Sequence, residues 1–384
     1  MHSLSNADVR VLVEENEVKG EAVGDLFSMT TLRRLATSLA DIPMSTAWYL
    51  SDLAEAKGRQ QLFTRQSPQR LKALREDAMI ESAVASNRIE GVEIEPSRVR
   101  AVVLGSPAPR DRNEEEVRGY RDALRLIHSS FDELPISEVT ISELHRISRG
   151  DTADAGEYKT RDIDIIETTA NGRSRIRFKT VSARSTPKAM RDLITAWDSL
   201  EGQPIPALVA VAVLNLDFLC VHPFRDGNGR VSRLLLLLQC YHAGIEVGRY
   251  VSIERIIERN RERYYETLEE SSRGWHEGKH DPWPYINYLL YVLKEAYHEF
   301  ERRVGETAAR RGEKRETVIA AVERTTGPFT IAELQRECPG VSVDMLRHVL
   351  KALKAERRVE CLGRGRNARW RRLRKNQVMN GSNR

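Results

Sequence analysis

Residues 222–233 read HPFRDGNGRVSR, and the rest of the chain is best read outward from them. His222 can take a proton near neutral pH from an attacking hydroxyl. Asp226 is a hard oxygen ligand suited to Mg²⁺ beside phosphates. Gly227 and Gly229 let backbone N–H groups approach an anion closely, and a helix opening near Arg230 offers its positive end to the same anion. Arg230 and Arg233 are three apart on that helix, so they share a face, and each can fork onto phosphate oxygens. Together these parts describe a hydroxyl attacking a phosphate group of a Mg²⁺-bound nucleotide. Neither GxxxxGK[ST] nor a kinase-type glycine loop occurs in the chain, so the common nucleotide-triphosphate motifs do not account for it.

The flanks of this stretch are helical. PIPALVAVAVLNLDFLCV leads into it and VSRLLLLLQCYHAGI leaves it. The run Leu234–Leu238 is far too short to span a bilayer and reads as a buried helix. Upstream, TLRRLATSLADIPMSTAWYLSDLAEAKGR and SPQRLKALREDAMIESAVASNRIEG carry apolar residues at three- and four-residue spacing, with Gly91 as a C-terminal stop. NEEEVRGYRDALRLIHSSF and SEVTISELHRISRG read as further helices, and one more is expected from about Pro187 to Leu200. Downstream, SIERIIERNRERYYETLEESS and WPYINYLLYVLKEAYHEFERRV are helical. The exception is DIDII and RIRFKTV around Asn171-Gly172, the strongest hairpin signal in the chain. The fold class is therefore mainly α.

HPFRDGNGRVSR resembles the signature HxFx[DE]GNGRxxR of the Fic (filamentation-induced-by-cyclic-AMP) family, and the similarity runs from roughly Ser82 to Phe300. The resemblance implies a Fic helical core with a β-hairpin flap, and transfer of AMP from ATP to a Ser, Thr or Tyr hydroxyl of a protein. It makes His222 the general base and Asp226 the Mg²⁺ ligand. Gly227, Asn228 and Gly229 become the anion hole, with Arg230 and Arg233 on the phosphates. GEYKTRDIDI matches the family hairpin, and Phe178, Lys179 and Thr180 fall in its target-docking flap. RERYYETL also looks familial and puts Tyr264 or Tyr265 near the nucleotide base. Two departures stand out. Asn215 and Leu219 occupy places where the family often has His and Glu, and the flap lacks the common prolines.

SNRIEG at 86–91 is similar to the family's inhibitory motif [ST]xxxE[GN]. Ser86 and Glu90 are four apart on one helix face, so Glu90 can reach Arg233 and form a charge-assisted pair. That arginine would then be withheld from the γ-phosphate. An ordinary helix end with a solvent-facing Glu is the competing reading. A rival activity, removal of AMP from a modified protein, needs the same residues and stays open. So does a DNA-binding regulator whose Fic domain senses nucleotide.

Of the 384 residues, those from Gly312 onward hold 17 Lys and Arg against 8 Asp and Glu, while the remainder holds 44 against 48. A basic tail on a slightly acidic body hints at nucleic-acid contact. A charged stretch at 301–316 reads as the end of a helix plus a linker. Residues 317–375 then resemble a small C-terminal winged helix-turn-helix domain, with Thr330 and Ser342 as helix caps and a disordered tail at 376–384. A DNA-binding reading aims Arg347, Lys351 and Lys354 at the groove and Arg364, Arg366 and Arg369 into the wing. A protein-interaction reading uses the same fold with a solvated charged face. The remaining divisions are 1–110, an N-terminal helical region with the inhibitory helix, and 111–300, the catalytic core. Four scattered cysteines form no CxxC pair, and the polar opening residues lack a signal-like apolar run, so the expected setting is cytoplasmic with no membrane partner. Expected partners are a target protein or the chain itself, with a homodimer as a candidate.

Overall fold

The computed structural model describes residues 11–12, 30–37, 41–64, 68–105, 108–150, 152–168, 174–325, 327–338, 341–363 and 368–373. The chain divides into two compact units, Met1–Phe300 and Glu301–Arg384. In the first, strand β1 (Val11–Leu12) is followed by helices α1 (Thr31–Thr37), α2 (Met44–Thr64), α3 (Pro68–Ile89), α4 (Val99–Leu104), α5 (Arg112–Ser130) and α6 (Glu138–Arg149). Strands β2 (Asp164–Thr168) and β3 (Ser174–Lys179) come next, then α7 (Thr186–Asp198), α8 (Ala207–Val221), α9 (Asn228–His242), α10 (Ile253–Arg259), α11 (Arg261–Ser272) and the first turns of α12 (Trp283–Arg324), which continues into the second unit.

Helix α8 is central because no face of it is polar enough to meet water, and α9 packs against it. Every residue of α8 from Val209 to Val221 is buried, and α9 is buried over nearly its whole length. The quoted motif is the turn that joins them. A single acid interrupts α8: Asp217 is fully buried and accepts from Thr31 N, Thr31 Oγ1, Leu32 N and Trp275 Nε1 at 2.5–3.2 Å. It thereby satisfies the otherwise unpaired N–H groups that open α1.

Helix α3 ends as its sequence requires. Gly91 takes φ 81°, and Val92 N bonds back to Asn87 O, a closure that favours glycine at this position. Buried polar bonds hold the helix in place: Glu254 on α10 accepts from Ser82 on α3 at 2.6 Å and from Tyr120 on α5 at 3.0 Å. Helix α3 thus packs into the same unit as the motif.

The expected hairpin is present as β2 and β3, antiparallel, pairing Asp164 with Lys179 and Ile165 with Phe178, with an irregularity between Ile165 and Ile166. The Asn171-Gly172 turn lies outside the described residues. One strand was not foreseen: Val11 and Leu12 pair with Glu167 and Ile166, which makes the sheet three-stranded. The helix expected from SIERIIERNRERYYETLEESS breaks at Asn260, which leaves helical geometry at φ −116°, ψ 34°. Its side-chain amide donates to Ile256 O at 2.9 Å, a local bond of the kind that competes with helix continuation.

Helix α12 runs without a break through the stretch read as a linker. In the second unit its last turns are followed by β4 (Phe329–Thr330), α13 (Ile331–Glu337), α14 (Val343–Ala355), β5 (Val359–Cys361) and β6 (Arg369–Arg372), with sheet order β4-β6-β5. Val318, Val322, Phe329, Leu334, Leu346, Leu350, Leu353 and Val359 form its core. Thr330 caps α13 in a reciprocal box with Glu333, and Ser342 caps α14 by accepting from Met345 N. Arg347, Lys351 and Lys354 are exposed on α14 and Arg369 on β6, with Arg347 paired to Asp344; Arg364 and Arg366 lie outside the described residues. No helix among the described residues is long and apolar enough to cross a membrane.

Candidate active site

The turn between α8 and α9 opens on an unusual backbone. His222 ends α8 in the left-handed region, φ 52°, ψ 61°, a conformation that costs a non-glycine residue roughly 1–2 kcal/mol. Its Nδ1 lies 3.3 Å from Leu219 O. A carbonyl can only accept, so Nδ1 carries the hydrogen and Nε2 keeps the lone pair. The side chain lines a cavity that Glu90, Gly229, Tyr264 and Tyr265 also border. Burial, and after it the Lys159 ammonium, push the imidazole down to about 3, so the ring is neutral.

The rest of the turn is braced from beneath. Asn228 closes it by accepting from Phe224 N at 2.9 Å and donating to Phe224 O at 2.7 Å. Its carboxamide is therefore spent on loop geometry, and only its backbone remains for an anion. Gly227 sits at φ 82°, and its N–H bonds Asp226 Oδ1 at 2.6 Å. A methyl group on Gly227 would press on Arg149 Cδ and the His145 ring at 3.2–3.4 Å. His145 stacks flat on Phe224 with centroids 3.8 Å apart. Its Nδ1 accepts from Gly156 N, which leaves Nε2–H to donate to Asp226 O at 3.0 Å.

Asp226 is half-exposed, and its Oδ2 accepts from Arg149 at 2.7 Å. Burial alone would raise its pKa, but Arg230 and Arg149 outweigh that and hold the carboxylate charged. Among the described residues no group of three or more His, Cys, Asp or Glu could cage a metal ion. A single charged carboxylate still fits Mg²⁺, which commonly takes one or two carboxylates and completes its shell with phosphates and water.

The two motif arginines part company. Arg230 turns into the interior, 1% exposed, with Nη1 2.5 Å from Glu116 Oε2 on α5 and 3.3 Å from Asn87 Oδ1 on α3. It does not line the cavity. Glu116 also meets Arg112 at 3.0 Å and Arg149 at 3.4 Å. Burial would raise the Glu116 carboxyl, and these cations together hold it below its usual value. Breaking a buried pair strands a charge, so Glu116→Ala is expected to destabilise the fold by about 3–5 kcal/mol. Glu116→Leu combined with Arg230→Met should recover part of that loss. Urea denaturation of the three proteins would check this, and an unaltered midpoint for Glu116→Ala would refute the structural role.

Arg233 stays beside the cavity. Its Nε donates to Ser86 Oγ at 2.8 Å, and its Nη2 donates to Ser86 O at 2.9 Å and Glu90 Oε1 at 2.7 Å. Burial opposes its charge, the Glu90 carboxylate more than offsets that, and the guanidinium pKa rises. Nη1 is buried with no partner among the described residues. A methyl group built on Gly229 would collide with Glu90 Oε1 and come within 3.3 Å of Arg233 Nη1. The Glu90 carboxylate thus lies against Gly229 on the opening turn of α9.

Tyr264 and Tyr265 both line the cavity, their rings 5.2 Å apart. Tyr264 is buried, and Tyr265 lies under the Arg177 and Arg261 guanidinium groups at 5.3 and 5.7 Å. Phe178 lines the same space and stacks on His276. Lys179 O accepts from His276 Nε2 at 2.6 Å, and Thr180 Oγ1 donates to Ile163 O at 2.5 Å. Of the two positions that depart from the family pattern, Leu219 is in the cavity wall. Asn215 is buried between Ser232 O and the Tyr285 hydroxyl.

Four residues escaped the sequence reading: Glu116, His145, Arg149 and Lys159. His145 and Arg149 are four apart on α6, a spacing that puts both on one face and was a usable signal. Burial is the first cause that lowers His128, His145, His222 and His280, to about 3, 4, 3 and 4. Each folded value lies below the unfolded value of about 6.5. The stability these neutral rings contribute is therefore complete above that pH and is lost as pH falls toward 4. One histidine alone would cost about 1.4 kcal/mol per pH unit. The melting temperature should fall steeply from pH 6.5 to 4.5, and a flat profile by circular dichroism would contradict the burial of neutral rings.

Residues 135–240 match the family model described as the Fic/DOC family. The chain is 26% identical over 227 residues to the protein adenylyltransferase fic-1 of Caenorhabditis elegans, covering 56% of this chain and 39% of that protein. It is 24% identical over 219 residues to the protein adenylyltransferase Fic of Nematostella vectensis, covering 53% and 46%. The chain thus spans less than half the length of these relatives. Among solved structures it resembles a Fic family protein from Desulfovibrio desulfuricans, with a TM-score of 0.56 and 22% identity over 87% of this chain and 98% of that one. A Fic-domain signalling protein from Bacteroides thetaiotaomicron gives 0.54 and 20% over 67% and 98%. At such identities these structures speak for a shared fold.

Proposed function

The chain carries a Fic domain over residues 135–240, and on that premise we propose that it is a protein adenylyltransferase. It moves AMP from ATP onto a hydroxyl side chain of a target protein or of itself. The observation that carries this reading is the neutral His222 ring, its Nε2 lone pair available, in the wall of the same cavity as Gly229. The Arg233 Nη1 donor, buried and unpaired among the described residues, lies beside that glycine.

The hydroxyl oxygen attacks the α-phosphorus as its proton passes to His222 Nε2. The bond to the β-phosphate oxygen breaks, and pyrophosphate leaves with that electron pair. A ring held down to about 3 is a weak base by itself; a polyphosphate beside it adds negative charge and raises its basicity. The first backbone N–H groups of α9 face the charge that develops on the phosphate, and preorganised donors of this kind usually contribute more to such catalysis than any other single effect. Mg²⁺, when bound, would be held by Asp226 together with nucleotide phosphates and would supply positive charge to their oxygens. Tyr264 and Tyr265 offer the base an aromatic wall, and Phe178, Lys179 and Thr180 form the edge on which a target segment docks.

The resting protein is autoinhibited in this reading. Glu90 occupies the first turn of α9 and pairs with Arg233, so the γ-phosphate finds its clamp already engaged. The basic second unit is the candidate contact for DNA or for protein, through Arg347, Lys351, Lys354 and Arg369. All four cysteines are free thiols, in keeping with a reducing, cytoplasmic setting. Incubation of the purified chain with ATP and Mg²⁺ should add one or more AMP units by intact-protein mass spectrometry. Absence of added mass on the chain and on every protein of a cell lysate, including with Glu90→Gly, would refute the assignment.

A further inference from the structure

We propose that Lys159 is a positioning residue that ties the base of the flap to the catalytic turn and sets its charge beside His222. The proposal rests on the reading of His222 as the general base. Lys159 lies in the loop between α6 and β2 and is only 4% exposed. Its ammonium donates to Val221 O at 3.2 Å, the carbonyl just before His222. Its backbone N–H donates to Pro223 O at 2.9 Å, the carbonyl just after. One residue therefore grips the chain on both sides of a left-handed histidine, where the backbone would otherwise relax.

The same ammonium donates to Thr180 Oγ1 at 2.8 Å, and that hydroxyl passes its own hydrogen to Ile163 O. Thr180 directly follows β3, and Ile163 directly precedes β2. The flap base and the catalytic turn thus share one cation. A neutral side chain could fill the space without the desolvation cost of a buried charge, so the charge itself asks for a role.

Electrostatics supply one. After burial, the Lys159 ammonium is the next cause that lowers the His222 pKa, while the Leu219 carbonyl and Asp226 work in the opposite direction. Glu90, Arg177 and Glu269 also border the cavity that His222 lines. Burial brings Lys159 down to about 7 against the raising effect of Asp162 and Asp164. The ammonium is therefore fully charged in the acid range where His222 would take up a proton. Lys159→Met should loosen the turn and make His222 easier to protonate. Lys159→Arg, which keeps a charged donor, should preserve the His222 titration.

The test is a proton and ¹³C NMR titration of the His222 imidazole in the full chain, with its signal identified by its loss in His222→Ala. AMP transfer from ATP and Mg²⁺ is measured on the same proteins. In Lys159→Met the His222 titration should move up by about one pH unit, the scale of a nearby like charge. Transfer at pH 7 should fall by roughly 10–100-fold, the scale of a small misplacement of a catalytic group. Lys159→Arg should titrate as wild type and transfer within a few-fold of it. Lys159→Gln, which keeps a donor but no charge, takes the place of Lys159→Met if that variant does not fold. An unmoved His222 titration in the uncharged variant overturns the proposal, even if transfer falls, because the lysine would then be purely structural. A His222→Ala protein that still transfers AMP would instead sink the base assignment, and the NMR shift would stand apart from that failure.

Discussion

His222→Ala is expected to lower AMP transfer by roughly 10²–10⁴-fold, the usual worth of a positioned general base, while ATP affinity stays close to wild type. The two effects separate because different groups carry them. In the proposed function, nucleotide binding would draw on the opening turn of α9, the Tyr264 and Tyr265 wall, and Asp226 through Mg²⁺. In the proposed chemistry the proton goes to the Nε2 lone pair of His222, since Nδ1 is spent on Leu219 O. His222 is also the left-handed end of α8; alanine tolerates that backbone no better, so the melting temperature should change little. Calorimetric ATP titration beside a radiolabel transfer assay would read both effects. Transfer within about threefold of wild type would remove His222 from the chemistry, whatever the affinity.

The motif was legible because its chemistry is local. Two glycines, an acid and a histidine in one turn constrain what that turn can do before any packing is known. The Glu90–Arg233 pair was legible for a similar reason: four-residue spacing put Ser86 and Glu90 on one face of α3, and both meet Arg233 at 2.7–2.8 Å. Arg230 was a different case. Its three-residue spacing from Arg233 suggested a common phosphate-facing side, but α9 is surrounded, and the two side chains leave it toward different neighbours. Only the packing of α5 reveals that Glu116 waits for Arg230 in the interior. Lys159 was hidden for the same reason: its partners Thr180, Val221 and Pro223 lie 21 or more positions away. The break at Asn260 depended on a side-chain amide choosing Ile256 O, which helical periodicity cannot register.

Glu90→Gly should raise AMP transfer by about tenfold or more, although it adds no catalytic group. In the resting protein the Glu90 carboxylate meets Arg233 Nη2 at 2.7 Å and lies against Gly229. On the autoinhibited reading proposed above, it holds the cation that a γ-phosphate would need and lies against the glycine beside which the phosphates would sit. Removing it frees both at once, and the triphosphate can turn its α-phosphorus in line with the attacking hydroxyl. Near-attack orientation can be worth several powers of ten, so even a partial correction is measurable. Arg233→Ala should not mimic the release, because it removes the clamp together with its lock. It also leaves Ser86 and Glu90 without the buried donors they now accept from, so its melting temperature should drop. Glu90→Gly combined with Arg233→Ala should transfer no faster than Arg233→Ala alone, the non-additivity expected of residues in direct contact. An unengaged surface glutamate would predict wild-type transfer for Glu90→Gly. An enzyme that mainly removes AMP, with Glu90 orienting water, would predict loss of removal from a modified target. Transfer and removal assayed side by side on these four proteins discriminate the outcomes. Equal activities for wild type and Glu90→Gly in both assays would mean that the contact with Arg233 is structural and carries no control.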